Sequence, residues 1–193
     1  MNLREELHDY KNILAILRKA KNAFNHRDVF MLRDLSNRTI HSASIYQDAD
    51  SISIAVVLYA LSKIIGRHDY VFYRDWKLFY KVVNFSFDKS ILAIENDDLT
   101  SFREGIMNIR KAEHKLSGNL KKYIEEVFVE ASINKASRLY EHGLSMEKTA
   151  EMLGITLFEL AQYAGKTGIP DMSFNKTLPI EKRFHNTIKF FED

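Results

Sequence analysis

An all-α fold is predicted by three observations. The only two prolines, Pro170 and Pro179, both fall late in the 193-residue chain. Seven glycines leave long stretches uninterrupted. Within those stretches apolar residues recur at helical spacing, which gathers them on one side of a helix. Nothing in the chain offers a strand a partner, and a lone strand would leave its backbone N–H and C=O groups unpaired.

The first segment places Leu3, Leu7, Tyr10, Ile13 or Leu14, Leu17, Ala20 and Phe24 on one stripe and breaks near Asn25 and His26. A second helix is predicted from about Asp28 to Ala43, with Phe30, Leu32, Leu35 and Ile40 inward. A third opens at Asp50 or Ser51, either a good N-cap, and is apolar nearly all round until Gly66. Such a helix belongs at the centre of a bundle. From Tyr70 to Phe87 runs an aromatic block whose spacing at 72/73, 76, 79/80 and 83 fits a helix face, serving as core or as a dimer face. Arg74, Lys77 and Lys81 interleave with Tyr73, Trp76 and Tyr80, and stacking of single-stranded bases is the less favoured reading. Ser101 and Glu104 have the spacing of a capping box, opening a helix through Phe102, Ile106, Ile109 and Leu116. Ser117-Gly118-Asn119 separates it from a long helix that runs from Leu120 to Gly143. A short terminal helix is expected from about Ile180 to Phe191. No internal repeat or low-complexity segment is visible. The chain divides into a helical bundle, 1–116, and a second part, 117–193, made of the long helix, a helix-turn-helix module and the terminal helix.

Composition excludes several classes. Twenty-eight Lys+Arg against twenty-six Asp+Glu leave a net charge of +2, so charge alone cannot coat nucleic acid and any such site must be local. The absence of cysteine removes disulfides, thiolate-bound zinc, iron–sulfur clusters and thiol nucleophiles. The charged start, Met1-Asn2-Leu3-Arg4-Glu5-Glu6, is unlike a secretory leader and predicts a cytoplasmic protein. The apolar run Ile52 to Ile65 is shorter than the roughly 20 residues of a membrane helix and carries Ser53, Ser62 and Lys63, so a buried helix and no membrane partner are expected. The seven histidines form no His-x-x-x-His pair, and no metal is expected. His41, Asp48 and Asp50 read as a helix-cap loop rather than a chelate. Gly165-Lys166-Thr167 lacks the upstream glycines of a phosphate loop, so no nucleotide or other cofactor is expected.

The most specific feature lies between Asn134 and Asp171. Ala150 is followed by Gly154, then by Ile155 and Leu160, the spacing of a helix-turn-helix. Two crossing helices need a small side chain at their contact, and the tight turn wants a glycine at positive φ. Ser145 would cap the first helix and Thr156 the second. The outer side of the second helix then presents Thr156, Leu157, Gln162, Lys166 and Thr167 to bases or phosphates, and Ser145 at the start of the first helix joins them as a DNA contact. A resemblance rests on several elements: Ala136…Leu139-Tyr140, Gly143-Leu144-Ser145, the run Lys148 to Ile155, Phe158-Glu159-Leu160 and Gly168-Ile169-Pro170. Together they resemble a family of small prokaryotic helix-turn-helix proteins, antitoxins or DNA-binding partners of toxins. That resemblance implies double-stranded DNA as partner and binding as a homodimer. The position that often carries Arg is Leu157 here, and the stretch 133–183 holds seven Lys+Arg against six acidic residues.

A second polar concentration runs from Arg33 to Ser51. Asn37 and His41 stand four apart on one helix face, and Asp34 and Arg38 share the neighbouring one. This stretch resembles the active-site helix of HEPN domains, all-α nucleases in which an arginine, a polar residue and a histidine meet an RNA phosphate. The resemblance implies Asn37 at the polar position and His41 as general acid or base. Position 36, where the arginine would stand, is Ser36, so Arg33 or Arg38 would have to supply the guanidinium. The primary expectation is a non-enzymatic transcription regulator, with the bundle used for dimerisation or partner binding. The alternatives are a HEPN-like ribonuclease using His41 and a protein-interaction adaptor without nucleic-acid binding.

Overall fold

The computed structural model describes residues 3–7, 9–46, 48–67, 72–141, 143–153, 155–158 and 160–161, without the side chains of Glu5, Glu113, Tyr140 and Glu141. No strand occurs among the described residues. The helices are α1 (Leu3–Glu6), α2 (Tyr10–Asn25), α3 (Val29–Tyr46), α4 (Ala49–Gly66), α5 (Trp76–Glu95), α6 (Leu99–Arg110), α7 (Gly118–Glu141) and α8 (Met146–Leu153), with a 3₁₀ turn at Ala112–Lys115 before α7. The terminal helix expected near Ile180 to Phe191 lies outside the described residues.

The central helix of the fold is α4. It packs against α2, α3, α6, α7 and α8, and Ile52, Ile54 to Leu58, Ala60, Leu61, Ile64 and Ile65 are all buried. By length and composition it could cross a membrane, with a mean hydropathy of 1.5. In this fold its apolar surface is covered by other helices instead. Its N-cap is Asp48, two or three residues earlier than expected: the carboxylate accepts from the Asp50 N–H at 2.9 Å and from the Ser51 hydroxyl at 2.6 Å. Asp50, thereby freed from capping, receives the guanidinium of Arg103 at 2.7 Å. Arg103 also lies 3.7 Å from Glu6, so one side chain links α1, α4 and α6.

Two helix pairs, α2–α3 and α5–α6, turn by the same device. Each first helix ends with a residue in left-handed backbone, Arg27 at φ 58° and Asp97 at φ 61°. The next N–H reaches back to close the helix, Asp28 to Ala23 and Asp98 to Ala93, both at 2.8 Å. That closing residue is also the N-cap of the following helix. Asp28 accepts from the Met31 N–H at 2.9 Å and Asp98 from the Ser101 N–H at 3.0 Å. The capping box expected at Ser101 is therefore absent. The helix begins earlier, at Leu99, and Glu104 pairs with Lys89.

Other expectations are corrected in detail. The break around Leu7 to Asp9 divides the first stripe into α1 and α2, with Ile13 buried and Leu14 half-buried. Phe30, expected inward, is 83% exposed, because at the first turn of α3 it lies across from the Leu32–Leu35 face. The aromatic helix starts at Trp76. Phe79, Val83 and Phe87 are sunk in the core, and Tyr80 stacks on Phe24 with ring centroids 5.4 Å apart. Phe72 precedes the helix and is exposed.

Candidate functional site

Along α3, Arg33, Asn37 and His41 follow one another at four-residue spacing, so they form a stripe, and all three are exposed. Arg38 does not join them. It turns toward Asp34, at 3.9 Å, on the neighbouring face. There it lines a cleft of about 290 Å³ between α2 and α3, together with Lys19, His26, Asp28 and Asp34. Opposite charges already meet in that cleft.

Facing the α3 stripe is a residue that sequence reasoning missed. Lys135, in the middle of α7, has 0% exposure, an unusual place for an ammonium group. Its Nζ donates to Asn37 Oδ1 at 3.0 Å and stands 4.5 Å from the centre of the Tyr59 ring of α4. Nearby Arg138 and Arg33 repel it. Burial in the first place, and then those two guanidiniums, lower its amine to about 8. No carboxylate pairs with it among the described residues. The one available signal was periodicity: Phe128, Ala131, Lys135 and Leu139 share the buried stripe of α7, which puts a lysine where the pattern asks for an apolar residue.

The arrangement orients Asn37. Its carbonyl oxygen is committed inward to Lys135, so the amide N–H2 is left for an acceptor outside, and it has none among the described residues. Arg33, one turn earlier, makes no hydrogen bond or ion pair among the described residues. His41 is exposed, and its backbone carbonyl accepts from the Ser44 hydroxyl at 2.7 Å. Asp48 and Asp50 are engaged in capping and in the Arg103 pair. No cluster of three His, Asp or Glu suited to a metal exists among the described residues.

At the far end of α7 the chain turns through Gly143, φ 85°, and the Leu144 N–H closes the helix on Leu139 at 3.2 Å. Ser145 caps α8, accepting from the Lys148 N–H at 3.2 Å. Ala150, Met152 and Leu153 are buried, and the Ile155 N–H returns to the Ala150 carbonyl at 3.1 Å, which ends the helix. Gly154 itself lies outside the described residues. Leu157, Phe158, Leu160 and Ala161 are again helical. Leu160 is buried, Thr156 is exposed, and Leu157 and Phe158 are 45% and 76% exposed. Gln162, Lys166 and Thr167 lie outside the described residues. The charged side chains of α8 are Glu147, Lys148 and Glu151, and Lys148 pairs with Glu151 at 3.0 Å.

Comparison with known proteins found no match among family models, curated proteins or solved structures.

Proposed function

We propose that the protein is a DNA-binding regulator. In this reading α8 and the segment from Thr156 onward form a helix-turn-helix, the protein acts as a homodimer, and the bundle provides the dimer or partner surface. The observation that carries the reading is the alternation around α8. Ala150, Leu153 and Leu160 are sunk, while Thr156, Leu157 and Phe158 point outward. That is the pattern of a helix held on a bundle with one edge offered to a groove. The apolar pair suits thymine methyl groups. Phosphate contacts fall to Lys166, because Lys148 is already paired.

The test is titration of duplex DNA fragments with the full chain at low salt. Binding is expected to weaken steeply as salt rises and to be lost in Gln162→Ala combined with Lys166→Ala. No binding to any duplex at low salt overturns the regulator. If a protein partner is captured through Leu157 and Phe158 instead, the adaptor takes its place.

A second reading, a ribonuclease at the α3 stripe, is favoured by a specific observation. Arg33, Asn37 and His41 line up on one exposed face above Lys135, which supplies the guanidinium and imidazole the chemistry needs without Ser36. RNA cleavage that disappears in His41→Ala, with thermal unfolding unchanged, would support it. Cleavage that survives in that variant, or none in the wild type, removes it.

A further inference from the structure

The surroundings of Lys135 ask for a ligand. A lysine ammonium has three protons to donate. Here one goes to Asn37 Oδ1, and the ring of Tyr59 faces the group at 4.5 Å. A buried cation normally carries a carboxylate partner, yet the charged neighbours that act on this one, Arg33 and Arg138, are both positive. Among the described residues the helices packed around it add no acid at this point: α3 contributes Arg33 and Asn37, and α4 contributes Tyr59. Positive charge from Lys135 and Arg33 is therefore brought together on the α3–α7 face, and no carboxylate among the described residues pairs with either.

The donors also converge. Asn37 turns its amide N–H2 outward because its oxygen is held from below. Arg33 stands one helical turn away and offers a planar fork of N–H groups suited to phosphate oxygens. An anion resting on these two lies over the Lys135 ammonium, to which Asn37 is hydrogen-bonded. A singly charged carboxylate or diester would balance only part of that charge, whereas a dianionic phosphate monoester answers more of it.

The geometry points to a binding site for a phosphate monoester on the α3–α7 face, contacted by Arg33 and the Asn37 amide, with Lys135 as the positioning residue beneath. The site is independent of the DNA-binding reading. Its residues come from α3, α4 and α7, outside the C-terminal hairpin; Arg33 and Asn37 also belong to the ribonuclease reading, from which this site differs in requiring no cleavage and no His41.

Calorimetric titration of the full chain at low ionic strength tests this with three probes: inorganic phosphate, adenosine monophosphate, and an oligonucleotide with either a 5′-phosphate or a 5′-hydroxyl. Binding of one or more phosphorylated probes is expected at millimolar concentration or below, and the 5′-hydroxyl oligonucleotide is expected to bind at least about tenfold more weakly. Near pH 8 binding should take up protons, because the anion favours the charged lysine. Arg33→Ala should weaken binding about tenfold. Asn37→Asp is the decisive variant. It gives Lys135 a permanent partner, so it should raise the unfolding temperature while abolishing binding, a combination that simple damage to the fold cannot produce. Lys121→Ala, on the same helix but paired with Glu125, should bind as the wild type does. The site is overturned if no phosphorylated probe binds at millimolar concentration. It is overturned equally if Asn37→Asp binds undiminished, or if the 5′-hydroxyl oligonucleotide binds as well as its phosphorylated form.

Discussion

Asp48 illustrates how one residue combines a cap with a cost. Burial raises its carboxyl above the ordinary value, the Ser51 and Asp50 hydrogen bonds act the other way, and the Asp50 charge adds to the rise. The residue is valuable as an acceptor and disadvantageous as an anion. Asp48→Ala should therefore lose about 1 kcal/mol of stability in urea denaturation, whereas Asp48→Asn, which keeps the acceptor, should lose less or gain. The sign follows from linkage: a raised folded-state value means that the folded protein holds the proton more tightly, so acidification through that value relieves the cost. The advantage of Asp48→Asn should be largest at neutral pH and shrink as pH falls. In the sequence Asp50 or Ser51 read as the N-cap. In the fold Asp48 takes the cap, and Asp50 pairs with Arg103, fifty-three positions further on.

The crossing of α5 on α6 shows the same dependence between elements. A Cβ on Gly105 would stand 2.1 Å from Ser90 Oγ and 3.1 Å from the Ser86 carbonyl oxygen, so the two helices touch through small residues. The hydroxyls of Ser86 and Ser90 are buried there without partners, which is costly. Gly105→Ala should destabilise by about 1–3 kcal/mol through overpacking. Ser90→Ala removes both the obstructing oxygen and an unsatisfied hydroxyl, so it should be neutral to stabilising. In the Gly105→Ala background it should recover part of the loss. A double-mutant cycle by urea denaturation measures that coupling. Nothing in the sequence announced this contact, since Gly105 reads locally only as a weak helix former. The Ser101–Glu104 spacing likewise suggested a box, but Asp98 is better placed because the preceding turn delivers it directly to the helix start. Phe30 was read inward from its neighbours, yet the positions of α4 and α2 fix which face of α3 is covered.

For the molecule as a whole, Lys135 links stability to pH. Its amine lies near 8 when folded and near 10.5 when the chain is unfolded. Below about 8 both states are protonated and the full cost of the buried charge is present. Between about 8 and 10.5 the folded state releases its proton first, so the cost fades and stability from this group rises with pH. Lys135→Met should accordingly be more stable than the wild type at pH 7, by on the order of 3 kcal/mol or less, and the difference should narrow toward pH 10. Urea midpoints at the two pH values provide the measurement. Equal midpoints at pH 7 would mean that water or a bound anion already compensates the charge.

The sequence by itself determined that the protein is helical and that the run ending at Gly66 is its central helix. It also located two polar concentrations, one on α3 and one around α8, because helical spacing, caps and breakers are local properties written at fixed intervals along the chain. What it could not determine is which faces meet. Lys135 lies ninety-eight positions from Asn37, and only the packing of α7 across α3 and α4 puts a buried cation under that amide. The same packing leaves Arg33 beside it and Arg38 on another face. Tertiary structure decided this because charge compensation is a question of neighbours in space, and in a bundle those neighbours come from different helices.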